Sequence, residues 1–292
     1  MRGVASYVMR GRLQALLVVM MGASTLMFAW ISAAVIALVT MRRGLNEGAF
    51  LLIWALLPAG YMLAQFGDSG PLAMLVGTTV LAVVLRWTVS LPLTLMASVA
   101  VGGITGYLLL MFGSGYLEEL AAMFAKLFEN LQANLPEGQR LPEPGVSTLA
   151  GMLGLMNTIT CVLCLLLARW WQASLYNPGG FREEFHAIRL TPQLSVVLAV
   201  LMLAVSMLGV EYRPWAMLFA VPLSIAGLGF LHARAAHRKL GMGWLSMFYL
   251  LWLVLDPIKL VVIGIAIADS FADFRKRWQS GSKDSQSQDE ET

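Results

Sequence analysis

The chain has 292 residues, 58% hydrophobic and 13% charged, with a mean hydropathy of +0.72, values that exclude an ordinary water-soluble domain. Its net charge of +3 and pI near 9.0 do not mark a nucleic-acid binder, because the arginines stand at the edges of apolar runs instead of forming one basic stripe.

A membrane-spanning helix needs roughly 20 apolar residues to cross a hydrocarbon core about 30 Å thick. Apolar runs of about that length recur from Leu13 to Ile267. The first, Leu13 to Met41, would overshoot the bilayer as one helix of roughly 43 Å. Gly22-Ala23-Ser24-Thr25 falls near its middle, Arg10 and Arg12 precede it, and Arg42 and Arg43 follow it. Two short segments that return the chain to its starting side keep both arginine pairs in the cytoplasm, as the positive-inside bias favours. A cleaved signal peptide fits poorly, since apolar sequence continues far past any small-residue cleavage site.

Crossings are then predicted at Ala49 to Gln65, Pro71 to Leu85, Leu91 to Phe112, Ser147 to Trp171, Gln193 to Leu208 and Trp215 to Leu231. The loops this assigns to the cytoplasm carry Arg86, Arg169, Arg182, Arg189, Arg234, Arg238 and Lys239, whereas the outer loops carry Lys126, Arg140 and Arg213. Gly102 and Gly106 have the GxxxG spacing that permits close helix approach, inside the bundle or toward a partner. Cys161 and Cys164 lie within an apolar run and have no second pair to complete a zinc site. They read as buried thiols, since a redox pair needs an exposed, electropositive setting.

The insert Gly113 to Gly145 holds Glu118, Glu119, Glu129, Glu137 and Glu143 against Lys126 and Arg140, a balance suited to the outer face. Leu117, Leu120, Phe124, Leu127, Phe128 and Leu131 recur at helical spacing, which predicts an amphipathic helix ending before Pro136. Such a helix rests on the membrane surface or bundle, or forms a lid over a ligand pocket. On the inner side, Asn177-Pro178-Gly179-Gly180-Phe181 is a turn signal, either a connector on the headgroups or a loop that receives a partner or ligand. His186 stands beside Glu183 and Glu184 without a second His or Cys nearby, so no metal site is assigned.

The last run, Gly243 to Ile267, is interrupted by Asp256-Pro257-Ile258-Lys259. Ionisable groups at membrane depth cost about 2.5 to 3.5 kcal/mol each on insertion scales, so they pair or line a wet cavity. Asp256 and Lys259 are three apart and share a helical face. They form a structural pair at a proline break, or mark the turn of a re-entrant hairpin whose freed backbone is offered to a ligand. The hairpin would return Arg275, Lys276 and Arg277 to the cytoplasm. Asp269 and Asp273 lie on one face at i, i+4, with Phe271, Phe274 and Trp278 available to the interface. Gln279 to Thr292 is polar throughout and is expected to be disordered.

The Asn177-Pro178-Gly179-Gly180-Phe181 loop and the closing Asp269-Ser270-Phe271-Ala272-Asp273-Phe274-Arg275 resemble those of the YybS-like family of uncharacterised bacterial inner-membrane proteins. The resemblance covers about Leu13 to Arg277 and implies a bacterial inner-membrane location, with no activity to carry over. The hydrophobic layout is more distantly similar to the S components of energy-coupling-factor vitamin transporters. That likeness implies a small helical bundle with a ligand pocket near the outer side, but it transfers no vitamin-contacting residue.

The expected architecture is an all-α polytopic membrane bundle of about 9 to 10 segments, some short or broken. It forms one transmembrane domain over residues 1–278, with an amphipathic outer insert at 113–145, a cytoplasmic loop at 172–191 and a polar tail at 279–292. The N-terminus is expected in the cytoplasm. No P-loop, HExxH or nucleophile elbow is present, so no enzyme, cofactor or metal is expected. The expected role is a small-molecule-binding or transport-related membrane subunit without its own ATPase; the alternative is a scaffold acting through membrane or cytoplasmic proteins. Membrane lipids are partners in either case, and nucleic acid in neither. The ligand or structural-pair candidates are Asp256, Pro257 and Lys259. The loop or partner candidates are Asn177, Pro178, Gly179, Gly180 and Phe181, with Asp269, Asp273 and Arg275.

Overall fold

A computed structural model describes residues 2–132, 143–276 and 278. Pro136, Glu137 and Arg140 of the outer insert, and the polar tail at 279–292, lie outside the described residues. The helices are α1 (Arg2–Val8), α2 (Arg12–Ala23), α3 (Ala29–Arg43), α4 (Leu45–Phe66), α5 (Gly70–Thr88), α6 (Leu91–Phe112) and α7 (Ser114–Gln132). They continue as α8 (Val146–Tyr176), α9 (Gly180–Ala187), α10 (Pro192–Ser206), α11 (Arg213–His237), α12 (Met242–Val254) and α13 (Asp256–Ala272). Among the described residues, five helical stretches are long and apolar enough to cross a membrane, or seven if each bent pair counts as one span. The chain is an all-α polytopic membrane bundle.

The expected break in the first apolar run lies at 24–28: α2 stops at Ala23 and α3 starts at Ala29. Ser32 Oγ donates to the Val19 carbonyl at 2.8 Å, and Thr25 Oγ1 donates to Gly22 at 3.1 Å. These bonds add side-chain donors to carbonyls of the last turns of α2 and tie α3 back onto it across the break. The last apolar run breaks two residues before its proline, because Leu255 takes an extended conformation and Pro257 falls in the first turn of α13, where its missing N–H costs nothing. The α12–α13 pair is bent by 114°. The inner loop is more regular than its turn signal implies: α8 runs on past Trp171 to Tyr176, and α9 forms from Gly180 to Ala187 within the same loop.

The chain divides into two compact units. Unit 1 comprises Met1–Phe181 with Met202–Val221, and α3 is its axis, every residue from Ser32 to Met41 being buried. A helix apolar on all sides belongs in a core, and α2, α4, α5 and α8 surround this one. α6 and α8 pack through glycine. A Cβ on Gly154 would lie 2.6 Å from the Gly102 carbonyl, and one on Gly106 would lie 2.9 Å from the Ala150 carbonyl. The GxxxG spacing therefore serves packing inside unit 1. Cys161 and Cys164 are buried thiols in the same core.

One end of unit 1 carries Arg2, Arg12, Arg42, Arg43 and Arg86. Arg86 Nη1 donates to the Met41 carbonyl at 2.6 Å, Arg43 Nη2 to Met9 at 2.5 Å and Arg2 Nη2 to Ser174 at 2.7 Å. Arg42 lies 4.0 Å from the centre of the Tyr176 ring, and Arg12 Nε donates to Glu47 Oε2 at 2.6 Å. Residues expected to set membrane orientation thus also satisfy helix C-terminal carbonyls, where a positive charge is favoured.

Unit 2 comprises Arg182–Leu201 and the described residues from Pro222 onward. α11 and α13 approach closely at Gly227, where a Cβ would lie 2.6 Å from Val262 Cγ1. A Cβ on Gly229 would lie 2.6 Å from the Phe185 carbonyl, which brings α9 against α11.

Candidate functional site

A polar-lined cavity lies in unit 1, at the end opposite Arg42, Arg43 and Arg86. Four features meet there: the α2–α3 break, the α4–α5 turn, the start of α7 and the first half of α8. Gly67 ends α4 at a φ of +67°, a left-handed conformation that suits glycine, and a Cβ on it would lie 3.3 Å from Tyr116 Cβ. The turn therefore rests directly on the first residues of α7. Asp68 comes next, and its Oδ1 accepts the Gly70 N–H at 2.8 Å, placing a carboxylate at the N-terminus of α5.

The cavity, about 250 Å³, has Asp68, Ser69, Thr105, Tyr116, Asn157 and Thr160 among its walls, against an apolar floor that includes Ala29 and Met74. Asn157 is 9% exposed, and its Nδ2 donates to Thr105 Oγ1 at 3.0 Å. Cys161 Sγ lies 3.6 Å from Asn157 Oδ1. The amide is thus oriented by α6 and by its own helix, as a polar group at membrane depth must be. Gly77 makes the junction of α5, α6 and α8 tight, since a Cβ there would lie 2.7 Å from Val101 and 2.8 Å from Cys161 Sγ. Burial raises the Tyr116 phenol above its ordinary pKa, and the nearby Asp68 charge adds to the shift. A chamber with convergent polar groups on an apolar floor is built to orient a small polar group.

Sequence reading passed over these residues as a site. Asp68 stood as the one acidic residue in a short loop, and Asn157 as the one amide in its apolar run. A lone amide in a spanning segment was the available signal. Their convergence with Thr105 and Tyr116 was not visible.

The expected candidates fall elsewhere. Asp256 and Lys259 do form an ion pair, Nζ to Oδ1 at 2.7 Å, on the first turn of α13 with Pro257 between them. The Asp256 side chain is 89% exposed and that of Lys259 42%, so the pair caps a bend at the protein's surface. Asn177, Pro178 and Gly179 are exposed, Gly179 has a φ of +94°, and Gly180 and Phe181 already belong to α9.

Asp269, Asp273 and Arg275 are brought together in unit 2. Asp269 is 2% exposed and lies 3.3 Å from Arg275 Nε, while Arg275 Nη1 donates to the His186 carbonyl at 2.5 Å. Asp273 pairs with Arg189 at 2.6 Å and Lys276 at 3.3 Å. Phe274 and Trp278 turn inward onto Phe230, with ring centres at 6.1 and 5.1 Å, so the aromatic residues expected at the interface pack the unit; Phe271 alone of the three is exposed. His186 gains a neighbour from α11 that sequence proximity could not reveal: its ring centre is 6.3 Å from that of His232, whose Nε2 is 2.7 Å from the Tyr249 hydroxyl. Among the described residues no three His, Cys, Asp or Glu side chains gather as metal ligands.

Comparison with protein-family models, with curated proteins and with solved structures gives no match to this chain.

Proposed function

We propose that the chain is a small-molecule-binding, transport-related subunit of a bacterial inner membrane, lacking its own ATPase, with its ligand held in the Asp68–Asn157 chamber. The observation that carries this is the chamber itself: polar groups from the α4–α5 turn and from α6, α7 and α8 converge on a hollow of about 250 Å³ at one end of a packed bundle. In the proposed orientation the arginine-bearing end of unit 1, including the N-terminus, faces the cytoplasm, in keeping with the positive-inside bias. The chamber then opens outward, beneath an amphipathic helix, α7. The distant similarity in hydrophobic layout to S components, which implies a ligand pocket near the outer side, supports this orientation and role.

The test is native mass spectrometry of the protein purified in mild detergent. A stoichiometric small molecule, retained by the wild type and lost in a folded Asn157→Leu variant, is the expected result. A ligand-free protein that instead carries a stable protein partner would favour the scaffold alternative, for which the exposed Asn177–Gly179 loop is the natural contact.

A further inference from the structure

The polar chamber is not closed. It shares Ser69, Ala73, Thr105, Leu109 and Tyr116 with a second cavity of about 620 Å³, so the two hollows adjoin within unit 1, divided only by side chains that wall both. The second cavity is an apolar groove between α5 and α6. Leu72, Val76 and Val80 form one wall at i, i+4 spacing, and Ile104 and Leu108 form the other. Val80, Ile104 and Leu108 are 44%, 58% and 46% exposed, so the groove opens sideways from the bundle, toward the hydrocarbon of a membrane. From Leu72 to Val80 it runs along roughly 12 Å of helix, the reach of a medium-length alkyl chain.

The charge of the combined space has one sign. Among the described residues, Asp68 is the carboxylate lining these two hollows, and neither lining includes Lys, Arg or His. An anionic head, a phosphate included, would be repelled by Asp68, with no cation among the described lining residues to offset it. An ammonium would be attracted to it, with the Thr105, Tyr116 and Asn157 groups as polar neighbours.

We infer that the ligand is a single-chain amphiphile with a cationic head: its ammonium end sits beside Asp68 in the chamber, and its alkyl chain lies in the groove between α5 and α6. This deepens the small-molecule function proposed above and rests on it. An uncharged tail alone would gain little over bulk lipid, which is as apolar as the groove, so selection falls to the Asp68 end.

The experiment is a native mass spectrometry titration in a nonionic polyoxyethylene detergent, using dodecyltrimethylammonium, dodecyl sulfate and tetramethylammonium as probes. The expected result is one saturable equivalent of dodecyltrimethylammonium, with dodecyl sulfate and tetramethylammonium each at least about tenfold weaker. Asp68→Asn keeps an oxygen for the Gly70 N–H but removes the charge, and should weaken the cationic probe by about tenfold. Val76→Trp, at an exposed groove position that tolerates bulk, should weaken it comparably without changing the melting temperature.

Equal binding of dodecyl sulfate, or an unaffected Asp68→Asn variant, overturns the cationic head. Equal binding of tetramethylammonium, or an unaffected Val76→Trp variant, overturns the tail groove. In each of these cases a ligand retained from the cell and lost in Asn157→Leu leaves the small-molecule function standing. If no probe binds and no ligand is retained from the cell, both fall.

Discussion

Arg189 holds Asp273 at 2.6 Å through Nη1 while Nε and Nη2 of the same guanidinium donate to the carbonyls of Asp269 and Ser270 at 3.1 and 2.9 Å. One side chain thus closes the end of α13, where Asp273 adopts a left-handed φ of +45° and its N–H donates to the Asp269 carbonyl that Arg189 also holds. A planar fork with several donors is needed for that, and an ammonium cannot supply it. Arg189→Lys should therefore destabilise the protein by about 1 to 3 kcal/mol, read as a lowered melting temperature in detergent. A variant that melts like the wild type would remove the clamp from the account of unit 2.

The same contact predicts a pH dependence. Partial removal from water pushes the Asp273 carboxyl up, but the hydrogen bond to Lys276 and the charge of Arg189 together bring it below its ordinary value. A depressed folded-state pKa contributes stability that is present above the ordinary carboxylate range and is lost as pH falls through the depressed value. The melting difference between wild type and Asp273→Asn should hold at neutral pH and shrink through the acid range. A difference independent of pH would refute the assignment.

At the α12–α13 bend, Asp256→Asn leaves the Lys259 ammonium without its partner. Both side chains are open to the surroundings, so the penalty depends on what surrounds them: small against water and larger against lipid. Reconstituted in bilayers, the single variant should be less stable than the wild type, and a double change to leucine should recover much of the loss. Single and double variants of equal stability would exclude a coupled pair.

The glycine contact between α6 and α8 leaves no room for a methyl group, because the Cβ of an alanine at position 154 would stand 2.6 Å from the Gly102 carbonyl. Gly154→Ala should cost about 1 to 3 kcal/mol through forced separation of the two helices. Measurement of detergent-solubilised melting decides it, an unchanged midpoint being the contrary result.

Cys161 and Cys164 are 0% and 3% exposed. Both should resist a maleimide reagent in the folded protein and react after denaturation in SDS. Rapid labelling of the folded state would contradict their place in the core.

Much of the architecture was legible along the chain. Apolar run lengths marked the five long spans, though about 9 to 10 segments were expected where five to seven qualify among the described residues; Gly22 to Thr25 announced the first break, and the i, i+3 spacing of Asp256 and Lys259 announced their pairing, because each of these depends on neighbours within one helical turn or one bilayer thickness. The amphipathic α7 was legible for the same reason: polar and apolar residues separate onto two faces, and the period shows.

The chamber was not legible, nor was the clamp on Asp273. In a membrane the lipid-facing and protein-facing sides of a helix are equally apolar, so the sequence carries little sign of which face meets which neighbour. Asn157 and Thr105 are 52 residues apart, and Arg189 and Asp269 are 80 apart. By itself the sequence determined that this is a membrane protein of many helices, that its first and last apolar runs break, and which charges gather at helix ends. Only the tertiary structure decided that Asp68, Tyr116 and Asn157 share one hollow and that Arg189 closes α13, because hydrogen bonds and close glycine contacts across distant segments select one packing among many that the hydrophobic pattern allows equally.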